Sequence, residues 1–234
     1  MNRTAILFLN LIIFLLVAGK SKSQQNSLSQ QYDTLHDIDG NIYKTILIGN
    51  AKWMAENLSV ARFRNGVSIP QVSDSVQWKH MYKKLGRKYA WCYYNNNKTN
   101  NIPHGKLYNW YAIADSNGIC PTGWHVANDA DWSNLSSLLN QELAEEKKTH
   151  SSKNEGVTNP IPISKNSTGF LSVFSGVRRD DGVFTDKERT SSWWRIDGAC
   201  QVVESQNRRL GNMVFHRFSD KDKIYGFSVR CVKD

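Results

Sequence analysis

The chain has 234 residues, 22% of them charged and 40% hydrophobic, with 15 Gly and 5 Pro, a composition that excludes collagen-like, disordered and multi-span membrane classes. The formal charge is +9, but the first 23 residues carry Arg3, Lys20 and Lys22 and no acid, which leaves +6 for the remainder (27 basic against 21 acidic). That excess is small and scattered, so no nucleic-acid partner is expected.

Taken in chain order, Arg3 precedes an apolar run, Ala5–Ala18, interrupted by Asn10. The run is short for a membrane span and has the flanks of a secretory signal. Ser21 and Ser23 suit the small-residue positions of a cleavage site, with Val17 and Gly19 as a second option. Residues 1–23 are therefore expected to be a signal peptide, with an uncleaved anchor as the alternative and no stable membrane insertion after cleavage. The mature chain would begin near Gln24, and the Ser/Gln-rich residues 24–36 read as a flexible lead-in.

Ile42–Ile48 is β-branched and predicts a strand, and Gly49-Asn50 turns it into Lys52-Trp53-Met54 as a hairpin. Ser73–Leu85 carries Trp78, Met81, Tyr82 and Leu85 at helical spacing, with Gly86 as a stop. Leu107–Ala114 has the same spacing and predicts a short helix. The clearest helix starts at Asn128, a good N-cap, with Asp129 and Asp131 in its first turn. Its apolar face is Trp132, Leu135, Leu138, Leu139 and Leu143, and Lys147-Lys148 suits its end. His150–Ser167 reads as a long loop. From Gly169 onward short apolar runs alternate with turns, Asp181-Gly182 being a hairpin signal. Early helices and late strands predict an α+β single domain with a mostly antiparallel late sheet.

Cys92, Cys120, Cys200 and Cys231 form no CxxC pair, so a zinc ribbon is not indicated. In an exported chain they are disulfide candidates, with three possible pairings.

Several segments together resemble a known family. They are Asp37–Lys44 (DIDGNIYK), Ile48-Gly49-Asn50, Trp53–Leu58 (WMAENL), Leu107–Ala112 (LYNWYA), Cys120–Val126 (CPTGWHV) and Gly226–Asp234 (GFSVRCVKD). In this order they are similar to the Fibrobacter succinogenes major paralogous domain, frequent in exported proteins, and the match spans residues 37–234. His125–Trp132 and the terminal Gly226–Cys231 extend a more distant resemblance, to the C-type-lectin-like fold of formylglycine-generating enzymes. That resemblance implies a compact α+β domain whose termini meet, but not a function. It also implies a disulfide between Cys120 and Cys231, which lie in the best-matched motifs, with Cys92 and Cys200 as a second pair. The chain departs from the family pattern around Gly176-Val177-Arg178 and at Arg195, where a small hydroxyl residue is usual, and Gln141–Ser167 matches poorly.

The chemistry of catalysis is faint. The closely spaced copper-holding cysteines of the formylglycine-generating reaction are missing, and no HxH, HExxH or GxSxG occurs. Asp37/Asp39 and Asp180/Asp181/Asp186 read as turn residues rather than calcium ligands. His125 reads as a packed structural histidine. No metal, no cofactor and no catalytic residue is expected. Trp193 and Trp194 are adjacent in a predicted strand, so one should enter the core and the other face outward. An outward indole beside Arg178, Arg195 or Asn109 would make a platform for a sugar ring. The expected function is that of a secreted, non-catalytic module binding extracellular polysaccharide or another surface glycan. The alternatives are a structural or adhesive protein with a protein partner, which moves ahead if both indoles are buried, and an enzyme with a fold-assembled site.

Overall fold

The computed structural model describes residues 31–81, 88–151, 169–170, 172–204, 214–217 and 219–234. The signal peptide, most of the lead-in, the Leu85-Gly86 stop and residues 152–167 of the long loop lie outside them.

The predicted first hairpin forms. Strands β2 (Ile42–Ile48) and β3 (Ala51–Met54) pair antiparallel around Gly49-Asn50. Gly49 has a φ of +59°, which a residue with a Cβ adopts only under strain. β1 (Asp33–His36) pairs antiparallel with β2, so the end of the expected lead-in is a strand, and Lys52 and Asp33 form an ion pair across the sheet. β12 (Cys231–Lys233) enters between β3 and β6 (Trp124–Val126). The result is a five-stranded antiparallel sheet in the order β1-β2-β3-β12-β6, in which both ends of the described chain meet.

Two predicted helices are shorter than their periodicity suggests. α1 spans Ser75–His80, and the Asp74 carboxylate accepts the Gln77 N–H at 2.6 Å as its cap. In the second, Leu107–Tyr108 is a strand, β5, paired with β4 (Trp91–Cys92). A kinked turn, α2 (Asn101–His104), precedes it. Only Trp110–Ile113 is helical (α3), because the Asn109 side chain accepts the Ala112 N–H at 3.1 Å and starts the helix there. The long helix is α4, Asp129–Ser151. Its start is a reciprocal cap: Asn128 Oδ1 accepts from the Ala130 and Asp131 N–H groups at 2.8 and 3.1 Å, and Asp131 Oδ2 accepts from the Asn128 N–H at 2.8 Å.

The late chain forms antiparallel pairs, as expected. β7 (Ser175–Arg178) pairs with β8 (Phe184–Lys187). β9 (Thr190–Trp194), β10 (Ala199–Glu204) and β11 (Val214–Arg217) form a three-stranded sheet with β10 central. The domain is thus α+β with antiparallel sheets, but among the described residues it has one long helix, and its five-stranded sheet draws on both early and late strands.

Trp53, Trp132, Phe170 and Trp193 meet edge-to-face or tilted at 5.0–5.9 Å between centroids, and join the large sheet, α4 and β9. A disulfide links Cys120 to Cys231 across 111 residues, the pairing that the family resemblance implies. Cys92 and Cys200 are both free and buried, so the second pairing does not form. Burial pushes the Cys92 thiol up to about 12, against the opposing effect of Arg178, and raises that of Cys200. Among the described residues no helix is long and apolar enough to cross a membrane.

Candidate functional site

The aromatic platform expected at Trp193 and Trp194 does not exist, because both residues are 0% exposed. Alternation does send them to opposite faces of β9, but both faces are covered. Trp193 packs into the Trp53–Trp132–Phe170 cluster, and its Nε1 donates to Asn57 Oδ1 at 2.8 Å. Trp194 packs on Phe227 at 4.6 Å, and its Nε1 donates to the Tyr108 carbonyl at 2.7 Å.

Two more of the expected contact residues are interior. Asn109 is fully buried: besides capping α3, it accepts from the Ala90 N–H and donates to the Lys88 carbonyl. Arg178 is fully buried, its guanidinium held between the rings of Trp78 (4.3 Å) and Phe184 (4.8 Å). It donates to the Val72, Ser73 and Gly182 carbonyls at 2.5, 3.0 and 3.3 Å, so it ties together two loops, one before α1 and one between β7 and β8, rather than facing a ligand.

Arg195 alone among them reaches an open surface feature. The register of the late sheet explains where. Trp193 pairs with Gln201, and Ala199 pairs with Arg217. Paired residues in an antiparallel sheet project to the same face, and Arg195 and Ala199 lie two positions on from Trp193 and Gln201 respectively. Gln201, Arg195 and Arg217 therefore share the face that carries Trp193. Opposite them, α4 presents Ser133, Ser136, Ser137 and Asn140, which repeat at i, i+3, i+4 and i+7. The same helix sends Trp132, Leu135 and Leu139 inward.

Between the two walls runs an open groove of ≈ 810 Å³, nine of whose eleven lining residues are polar or charged. Its volume falls within the range of small-ligand sites, roughly 300–1,000 Å³, and its surface mixes these polar groups with a comparable share of apolar area. Arg195 Nη2 lies 2.8 Å from Asp129 Oδ1, at the start of α4, and 2.7 Å from Asp197 Oδ2, so this arginine joins helix to sheet. Its side chain is 6% exposed, whereas those of Asp129 and Asp197 are 70% and 43% exposed.

The acidic loops are occupied by their own chain. The Asp37 carboxylate accepts from the Asp39 and Asn41 N–H groups, Asn41 Nδ2 and the Tyr43 hydroxyl, all at 2.6–2.9 Å. Asp39 accepts from the Ala61 N–H and from Arg62. Burial works against the ionised Asp39, but these donors outweigh it and hold its carboxyl below the usual range. Among the described residues no three His, Cys, Asp or Glu side chains are placed to hold a metal ion.

His125 is not packed in the core. Its side chain is 37% exposed, with Nδ1 2.7 Å from Asp234 and Nε2 3.0 Å from Asp131. Burial disfavours the imidazolium, but hydrogen bonds to the two carboxylates more than compensate, so its pKa is raised.

The helical repeat of serines was the available sequence signal for the groove. The Asn57 side chain, 3% exposed and bonded to five partners, gave none beyond its place in WMAENL.

Comparison with known proteins adds one match: a family model described as the Fibrobacter succinogenes major domain covers residues 46–233. No curated protein and no solved structure matches the chain.

Proposed function

The chain belongs to the Fibrobacter succinogenes major domain family, and on that premise we propose that it is an exported, non-catalytic recognition module that binds an extracellular glycan in the groove between α4 and the β9–β11 sheet. The observation that carries this reading is the groove itself, whose polar side chains converge from two rigid elements. Hydroxyl and amide side chains offer both donors and acceptors, which suits a ligand covered in hydroxyl groups better than an apolar one. Arg195 and Gln141 lie where the chain departs from its family's pattern, which is where a specificity of its own would sit.

Export is supported by the signal-like residues 1–23 and by the disulfide, which suits an oxidising compartment. We read the fold as C-type-lectin-like. Support comes from the meeting of terminal strands in one sheet, the separate late sheet beside a long helix, and the bridge to the last strand. The two carboxylates nearest the groove are exposed and share one arginine, which is not the buried acid–base pair that a glycosidase uses.

Burial of both indoles removes the aromatic platform, and on that ground alone the structural or adhesive reading with a protein partner moves ahead. Against that, among the described residues the exposed large apolar side chains are spread over β2, α1, α2 and separate turns rather than gathered on one element.

The test is a glycan array probed with the chain from Gln24 onward and with its Ser137→Trp variant, which fills the groove. Binding that the variant abolishes supports the proposal. Binding untouched by the variant, or none at all, contradicts it.

A further inference from the structure

The charges at the groove can be summed group by group. Asp129, Arg195 and Arg217 line it, and Asp197 holds Arg195 from behind. The lining thus sets one carboxylate against two guanidinium groups, and the charge cancels only when Asp197, paired with Arg195 but outside the lining, is counted with them. The basic excess of the whole chain is not concentrated here. An acidic polymer laid along α4 would bring its carboxylates or sulfates against Asp129, whose side chain is 70% exposed, and would meet repulsion at that end, whereas Arg217 on the sheet wall would attract it.

The long wall's one charged residue is Asp129 at the start; with Ser133, Ser136, Ser137 and Asn140, all uncharged, it forms one stripe along α4 that extends about 16 Å at 1.5 Å per residue. That length suits an extended chain of rings rather than a single ring. At the stripe's start, Asp129 holds Arg195 through Oδ1. A carboxylate has about four acceptor sites, so this contact leaves Asp129 capacity for ligand hydroxyls. Hydroxyl groups donate to carboxylates, and a second anion does not.

Building on the groove reading above, we propose that the ligand is a neutral oligosaccharide, taken by hydrogen bonding along α4 and anchored by hydroxyl groups donating to Asp129. Ion pairing contributes little to such binding, so added salt should leave it almost unchanged.

The experiment measures binding of the chain from Gln24 onward to laminarin, mannan and dextran as neutral probes, and to polygalacturonate and heparin as acidic ones. Each is run at low and high salt, with Asp129→Asn and Ser137→Trp variants whose folding is checked by circular dichroism. The expected result is binding to at least one neutral probe, insensitive to salt. It should weaken about tenfold in Asp129→Asn, the size of one lost charge-assisted hydrogen bond, and vanish in Ser137→Trp. Preference for the acidic probes, lost with salt and with Ser137→Trp, would overturn the neutral ligand and leave the groove standing. Neutral binding unaffected by Asp129→Asn but abolished by Ser137→Trp would overturn the anchor. Binding to no probe, or binding indifferent to Ser137→Trp, would overturn the groove reading and this inference together.

Discussion

Arg230 Nε donates to Asn57 Oδ1 at 2.7 Å, and through this contact the last strand's approach is fixed to the WMAENL segment 173 residues earlier. The same oxygen accepts from Trp193, while Asn57 Nδ2 donates to the His104 carbonyl and to the Ser175 and Ser228 hydroxyls. Arg230 is 0% exposed, stands 4.5 Å from the Phe170 ring and donates also to the Met54 carbonyl. Burial holds its pKa down to about 9, with Glu56 pulling the other way. A buried cation held by an amide, a carbonyl and aromatic faces depends on every partner staying in place.

Asn57→Ala removes the shared acceptor and strands Trp193 Nε1 while weakening the hold on Arg230. The expected cost is about 2–4 kcal/mol, read as a lower denaturant midpoint at unchanged slope. A loss under about 1 kcal/mol would mean the hub is dispensable.

Trp193→Ala should cost about 3–5 kcal/mol, the range for a buried indole. An exposed platform residue would instead leave stability nearly unchanged while removing ligand binding, so the thermal midpoint of this variant separates the two roles.

How far the sequence reached is visible in this strand. The Ile42–Met54 hairpin, the Asn128–Asp131 cap and the apolar face of α4 at Trp132, Leu135, Leu138 and Leu139 follow from local rules, and the structure has them; the Leu143 side chain lies outside the described residues. The Cys120–Cys231 bridge followed from family motifs. Trp193 and Trp194 did not follow, because alternation says which face a side chain takes and not whether that face is covered. The covers here, Asn57 and Tyr108, lie 136 and 86 residues away in sequence. The groove escaped notice for a related reason. Ser133, Ser137 and Asn140 look like the solvated half of any amphipathic helix until Gln201 and Arg217 stand opposite.

Peptide mapping without reductant should recover the Cys120–Cys231 cross-link and no link between Cys92 and Cys200. Those two thiols, buried and raised in pKa, should resist alkylation until the chain unfolds. Replacing Cys120 and Cys231 by Ser should cost about 2–5 kcal/mol.

His125 makes stability depend on pH in a stated direction. Its folded pKa is raised above 6.5, so its contribution is complete below that value and fades as pH rises through the folded pKa. His125→Gln should flatten this part of the pH–stability curve. An NMR titration giving His125 a value at or below 6.5 would show that Asp131 and Asp234 do not hold the imidazolium.

Gly176 has a φ of +66°, and a Cβ there would meet Lys187 N and Thr185 O at 2.7 Å. Gly176→Ala should therefore destabilise the β7–β8 pair by more than about 1 kcal/mol. A neutral effect in thermal unfolding would rule out that close approach.

The groove between α4 and the late sheet is the central claim, and amide chemical-shift mapping during a laminarin titration tests it most directly. Shifts are expected to cluster at Asp129–Gln141, Arg195, Gln201 and Arg217, with the Trp193 indole N–H moving little because Asn57 holds it. Shifts centred instead on β1 and β2 or on the Asp37–Asn41 turn would contradict it.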